Sequence, residues 1–349
     1  MLMSLTYQET KAQYKALQQT FDYFQSNRES ILSFIRAHSF ISAAFVGCGS
    51  SYCLSESAAL SFLLRAGLPT VALAGGDLML HADRYAGLFK EGLMIAPSRS
   101  GSTSEVVEAV RQLRGRQHVP VLSIACVADS PLSQEADLAL ELPWAFDASV
   151  CQTRTVTNLY TANLLLAAYF ANDEALIEDI RVAIEQGEAY MQRVEEDIRK
   201  ATAFDWTNAV VLADGELQGI ATEGAIALTE IANVHAHSYH VLDVRHGPMV
   251  VVGPGTLVIA ALAGDPAGHE ERLLHDLKSR GARVIAFSDR PEAIPEAHAD
   301  CAIAFGSQLD SAAQGIPFIF IPQIAALVGA ERRGIHPDQP DGLSAWVKL

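Results

Sequence analysis

From residue 40 onward, short apolar runs alternate with longer amphipathic stretches. FISAAFVGCGSS (40–51), TVALA (70–74), GLMIAP (92–97), VPVLSIACV (119–127) and ADLALEL (136–142) have the length and character of strands. Between them LSESAALSFLLRAG (54–67), TSEVVEAVRQLRGR (103–116) and TNLYTANLLLAAYFA (157–171) repeat at helical spacing, the first stopping at Gly67. Residues 5–38 read as helical, with Leu17, Phe21, Phe24, Ile31, Phe34 and Ile35 in phase. Ser4 or Thr6 caps the start, and a break falls near Asn27. Strands alternating with helices predict an α/β protein built on a doubly wound parallel sheet.

The pattern then repeats. AAFVGCGSSYCLSESAALSFLL (43–64) corresponds to AVVLADGELQGIATEGAIALTEI (209–231), each a strand, a turn of small residues and an alanine-rich helix. The stretch from GLMIAPSRSGSTSEVV onward corresponds to GTLVIAALAGDPAGHEERLLHDLKSRGARVIAFSD (255–289). This is an internal duplication with a period near half the chain. The expected organisation is a helical lead over 1–38, one α/β domain over 39–185 and a similar one over 186–349, the boundary lying in the polar helical stretch 180–203.

Composition narrows the class. Half of the 349 residues are apolar and 19% are charged, the balance of a globular chain with a large core. The net charge of −16 argues against nucleic acid and anionic membranes as partners, so an anionic ligand needs a local pocket. Cys48, Cys53, Cys126, Cys151 and Cys301 form no pair or cluster with metal-ligand spacing, which predicts reduced thiols. Cys126 and Cys301 sit in apolar runs and are expected in the core. The N-terminus has no signal pattern and no run suits a membrane span. The expected location is cytoplasmic, with no metal and no cofactor.

SRSGSTS (98–104) lies where a strand hands over to a helix. Such a loop exposes unpaired N–H groups at the positive end of the helix dipole. Ser98, Ser100, Ser102 and Thr103 add hydroxyl donors, and Gly101 lets a ligand approach the backbone. Helix capping accounts for one or two of these hydroxyls, not for four within six residues. A phosphate is the anion such a set suits. GCGSSY (47–52) ends the first strand and adds Ser50 and Ser51 at the same carboxyl edge. A nucleotide P-loop is disfavoured because GK[ST] is absent, and a dinucleotide site because GCGSSY lacks the third glycine. The second copy has ALAGDPA in place of the hydroxyl loop, so only one copy is equipped.

The second copy carries EGAIALTEIANVHAHSYHVLDVRHGPMVVV (223–252). Glu223 and Glu230 are seven apart and share a helix face. His235, His237, His240 and His246 follow, and His246 precedes a Gly-Pro break that puts it on a loop. The HAH pair falls in a helical context, where positions i and i+2 diverge. A carboxylate and a histidine are the groups that proton transfer between adjacent sugar carbons and ring opening require. The residues alone do not choose among the four histidines.

The two loops resemble the sugar isomerase (SIS) family of phosphosugar-binding domains. More closely, residues 40–349 resemble the isomerase half of glutamine–fructose-6-phosphate transaminases, and they are similar to tandem-SIS ketose/aldose isomerases and amino-sugar-phosphate deaminases. The resemblance implies two flavodoxin-like SIS domains in tandem. It implies phosphate binding by Ser51, Ser98, Ser100 and Thr103, with Ser50 close by and Arg99 standing where the transaminase has glutamine. VCQTRTVT (150–157) matches a segment that closes the pocket, Val150 contributing backbone contacts. EGAIALTEI…HGP matches the family's EGALKLKEI…HGP. That implies Glu230 as the proton-transfer acid/base, His246 as the ring-opening residue donated by the neighbouring subunit of a homodimer, and Glu223 as a pocket residue of structural weight.

Two departures stand out. The family's helix lysines are Ala227 and Thr229 here, and its tail lysine is Ala345, with Lys348 three residues on. No cysteine nucleophile follows Met1, so no glutaminase activity is expected. The implied function is isomerisation or deamination of a hexose 6-phosphate or its amine derivative through an enediol or enolamine. The alternatives are a fructosamine-6-phosphate deglycase, for which Arg99 would hold a distal carboxylate, and a non-catalytic phosphosugar sensor.

Overall fold

The computed structural model describes residues 4–345 and 349. The apolar runs become strands with both faces covered. β1 (Ser42–Gly47), β3 (Gly92–Ser98) and β4 (Val121–Ala125) are buried along almost their whole length, as parallel strands covered by helices must be. β2 (Thr70–Ala74) and β5 (Leu138–Glu141) flank them in the order β2-β1-β3-β4-β5. All pairings are parallel, with Ala43 beside Thr70 and Met94 beside Val121. A second sheet holds β6 (Asn208–Leu212), β7 (His235–Tyr239), β8 (Thr256–Ala261), β9 (Arg283–Ser288) and β10 (Cys301–Ala304). Its order is β7-β6-β8-β9-β10, again parallel throughout. Both sheets therefore wind in the same way, and the duplication read from sequence is a duplication of topology.

The chain divides into two compact units. The first comprises residues 12–148, 152–181 and 344–349 and carries β1–β5; the second comprises 1–11, 149–151 and 182–343 and carries β6–β10. The division falls inside the helix Glu174–Thr202. The core of the first unit includes Val46, Phe89, Met94, Leu113 and Val121, and that of the second Leu212, Val258, Leu274 and Val284, all fully buried. Each such side chain stabilises the fold by about 1.5–3 kcal/mol relative to exposure.

Helix boundaries follow local chemistry. The lead consists of Leu5–Lys11, Gln13–Ser26 and Arg28–Arg36, with breaks at Ala12 and Asn27. Ser4 caps the first, its hydroxyl accepting the Tyr7 N–H at 3.3 Å. The helix expected over 54–67 begins earlier, at Ser50, so Ser50 and Ser51 form its first turn. The helix expected from 157 begins at Arg154, because Asp147 accepts the N–H groups of Thr153 and Thr155, both at 2.8 Å.

One reading is corrected. The HAH segment is not helical: the helix Gln218–Ala232 stops at Asn233 in a left-handed conformation, and His235–Tyr239 is the edge strand β7. His235 and His237 thus point to the same face, both exposed. Among the described residues no three His, Cys, Asp or Glu side chains are grouped to hold a metal ion. No helix of the described residues is long and apolar enough to cross a membrane. The five cysteines are free thiols; Cys126 is buried, and Cys301 is only half-buried.

In the second unit Asp338 fastens the segment after the last helix to the N-terminal helix. Its carboxylate accepts the N–H groups of Leu5 (2.9 Å) and Thr6 (2.8 Å) and the Thr6 hydroxyl (2.7 Å). Burial pushes this carboxyl up, but the bonds from Thr6 and Leu5 outweigh it and hold it below the usual carboxylate range. A depressed folded value means the stabilisation is complete above the unfolded value and is lost as pH falls through the folded one. The stability gap between wild type and Asp338→Asn should therefore be widest at neutral pH and close below about pH 4. Urea midpoints at pH 7 and pH 3 check this, and a gap independent of pH would contradict it.

Candidate active site

In the first unit the hydroxyl loop lies at the carboxyl end of β3, beside the point where the strand order reverses between β1 and β3. Ser98 ends the strand, and its hydroxyl accepts the Gly101 N–H at 3.0 Å. The Ser100 hydroxyl accepts the Ser102 N–H at 3.2 Å. Thr103 is the extended residue before the helix Ser104–Arg114, yet its hydroxyl makes no cap bond. Capping thus does not account for this threonine. Gly101 has φ +58°, and a Cβ there would lie 2.1 Å from the Ser130 hydroxyl. Beside this loop Ser50 and Ser51, both nearly buried, open the helix that follows β1. Gly47 lets that helix start against the strand, since a Cβ on it would lie 2.6 Å from the Ser51 carbonyl carbon. A cavity of about 420 Å³ next to the loop is lined by Ser102, Ser104, Glu108, Arg111 and Leu349.

Arg99 and Ala345 come together. Arg99 is 4% exposed, and its Nη2 donates to the Ala345 carbonyl. Further along the tail, the Leu349 N–H donates to the Ser104 hydroxyl at 3.2 Å. Lys348 lies outside the described residues. Thiol chemistry is disfavoured here. Burial, reinforced by the Glu105 charge, pushes the Cys48 thiol up, and burial does the same to Cys126.

The loop at the same place in the second sheet is built differently. It follows β8, and the Glu270 carboxylate accepts the N–H groups of Ala263 (2.9 Å), Gly264 (3.0 Å) and Asp265 (3.0 Å). Where the first copy satisfies its loop with neutral hydroxyls, the second uses its own anion. Sequence inspection found the missing hydroxyls but not this carboxylate, although HEE opening a helix was the available signal.

The second unit holds the acid/base candidates. Glu223 and Glu230 both lie on the helix Gln218–Ala232; Glu223 is buried at 2% exposure and Glu230 is half-buried. Glu230 lines a cavity of about 530 Å³ together with Thr229, Asn233, His336, Gln339 and Asp341. His246 is not among the described residues lining this cavity. It is exposed, after the turn Asp243–Arg245 and before Gly247 at φ +127°, with its N–H bonded to the Asp243 carbonyl at 2.8 Å. Leu242, Val250 and Val251 around it are exposed, Val250 at 81%. Val150 donates its N–H to the Asp338 carbonyl at 3.0 Å. His240 pairs with Asp214 at 3.0 Å. Asp338 and His336 were not singled out from sequence, because the contacts that place them span more than 300 residues or depend on a cavity.

Two sheets of identical winding, one with a hydroxyl-lined loop at its reversal point, define a duplicated flavodoxin-like α/β protein. The chain belongs to the SIS domain family, whose profile matches residues 39–169 and again 204–328. It is 27% identical over 312 residues to a glutamine–fructose-6-phosphate aminotransferase (isomerizing) of Methanothermobacter thermautotrophicus, a match covering 87% of this chain and 51% of that protein. The chain spans about half the length of the curated relatives it matches. Among solved structures it is similar to a glucosamine-6-phosphate deaminase from Thermotoga maritima, at 26% identity and a TM-score of 0.83 over 99% of this chain and 100% of that one. The fold is also that of a tagatose-6-phosphate ketose/aldose isomerase from Escherichia coli, at 22% identity and a TM-score of 0.86 over 99% and 96% of the two chains.

Proposed function

We propose that the chain is a phosphosugar enzyme that moves a proton between C1 and C2 of a hexose 6-phosphate or of its 2-amino derivative. Ser50, Ser51, Ser98, Ser100 and Thr103 hold the phosphate. Glu230 transfers the proton, and His246 of a second copy opens the ring. The observation that carries this reading is the contrast between the duplicated loops: neutral hydroxyls after β3, the Glu270 carboxylate after β8. A loop whose N–H groups are met by neutral hydroxyls, with no carboxylate accepting them, is one that can take a phosphate. The deaminase and the aminotransferases named above support the amine-bearing substrate. The exposed Leu242, Val250 and Val251 beside His246 support a homodimer that would cover them.

In mechanism, hydroxyl and N–H donors bind the dianion without a metal having to be invoked, and a carboxylate relays the carbon-bound proton through an enediol or enolamine. The deglycase alternative drew on Arg99 as the anchor of a distal carboxylate. The Nη2 of Arg99 donates to the Ala345 carbonyl. The test is product analysis. Glucosamine 6-phosphate should release ammonia and a ketose 6-phosphate, or a hexose 6-phosphate should yield its isomer. Thermal stabilisation by these ligands with no product from any of them would sink the enzyme reading and leave a sensor.

A further inference from the structure

A carboxylate that removes a proton beside a carbonyl needs a partner. Negative charge gathers on the carbonyl oxygen, and a fixed donor there lowers the barrier most. The cavity at Glu230 is lined by four side chains that carry N–H or O–H groups: Thr229, Asn233, His336 and Gln339. The Thr229 hydroxyl is spent on the Ala225 carbonyl at 2.9 Å. His336 is the one whose orientation the fold fixes. Its Nδ1 accepts the Asp338 N–H at 3.3 Å, so the ring proton of the neutral imidazole sits on Nε2. Asp338 is itself held by three bonds from Leu5 and Thr6 to its carboxylate and by the Val150 N–H on its carbonyl. Pro337 and Pro340 restrict the backbone on either side of it.

We infer that His336 is the catalytic donor that pairs with Glu230, its Nε2–H bonding the substrate's carbonyl oxygen as the proton leaves carbon. The inference rests on the proposed role of Glu230. In the step, the C–H bond breaks and its proton goes to the Glu230 carboxylate. The electron pair becomes the C=C bond of the enediolate, and the carbonyl π pair moves onto the oxygen that His336 holds. His336 keeps its proton throughout. Glu230 then returns its proton to the neighbouring carbon while the hydroxyl proton passes between the two adjacent oxygens. Ala345 offers no amine for this task, and its carbonyl is bound to Arg99.

The test compares two phosphorylated ligands. One is a five-carbon sugar hydroxamate phosphate, which mimics the enediolate; the other is a hexitol 6-phosphate, which has no carbonyl. His336→Ala should weaken the hydroxamate by roughly 10–100-fold, the range for one bond to a charged oxygen, and leave the hexitol unchanged. It should lower kcat by roughly 10²–10³-fold with little change in KM. His336→Gln, which places an amide N–H near the Nε2 position, should recover much of both. Equal losses for the two ligands would make His336 structural, and no loss for either would make it idle; each overturns the inference. A wild type that does not prefer the hydroxamate overturns it together with the reading of Glu230. Full activity in Glu230→Gln would remove the role of Glu230 and the pairing with it, whereas selective hydroxamate loss in His336→Ala would still mark His336 as a donor to the oxygen.

Discussion

Glu230→Gln lowers kcat by roughly 10²–10⁴-fold and leaves KM for the sugar phosphate nearly unchanged. The carboxamide keeps the shape of the side chain but takes up no proton at neutral pH. Phosphate affinity is assigned to Ser98, Ser100 and Thr103 in the other sheet's loop, so the substitution removes chemistry and not binding. Half-buried at a cavity wall, Glu230 is replaceable without opening the core, and the variant should melt close to wild type. Steady-state kinetics with a matched denaturation curve check this. A fold-intact Glu230→Gln with wild-type kcat would place the proton transfer elsewhere.

Gly101→Ala should abolish phosphate binding and destabilise the first unit by several kcal/mol. Two costs combine. At φ +58° an L-residue pays of order 1–2 kcal/mol for the left-handed conformation. The added Cβ would also sit 2.1 Å from the Ser130 hydroxyl, 2.5 Å from its Cβ and 3.2 Å from that of Ala125. Ser130 cannot simply turn away. Its Cβ is fixed to the backbone, and its hydroxyl caps the short helix Pro131–Gln134 by accepting the Ser133 N–H at 3.2 Å. The loop must therefore move, and the Gly101 N–H leaves the Ser98 hydroxyl. Phosphate titration and urea unfolding read both effects; tight phosphate binding by Gly101→Ala would show that this loop is not the anion site.

The legible parts of the fold were those whose pattern is strong and local. The all-buried strands β3 and β4 carry continuous apolar runs, and the duplication exposed the second sheet through the first. β7 was misread because HAHSY, on the sheet edge and partly exposed, carries neither an apolar run nor a clear alternation, and the strong helix before it masks the stop at Asn233. The place of the hydroxyl loop was legible because an apolar run ends at it and a helix-periodic stretch begins after it. Glu270, Asp338 and His336 were not: each owes its position to contacts with backbone or cavity that spacing does not encode. The neighbouring glutamates 270 and 271 look alike in sequence, yet only Glu270 is buried on the loop N–H groups.

Sugar phosphate deuterated at C2 is the most direct probe of the central claim. With glucosamine 6-phosphate or the corresponding hexose 6-phosphate labelled in this way, wild type should form ketose 6-phosphate at a rate slowed by a primary isotope effect, with part of the deuterium lost to water and the rest at C1, while Glu230→Gln leaves the label in unreacted substrate. Product carrying the whole of the label at C1, with none lost to water, would mean that a hydride shifts directly between the carbons, and the account of Glu230 and of the reaction would be wrong.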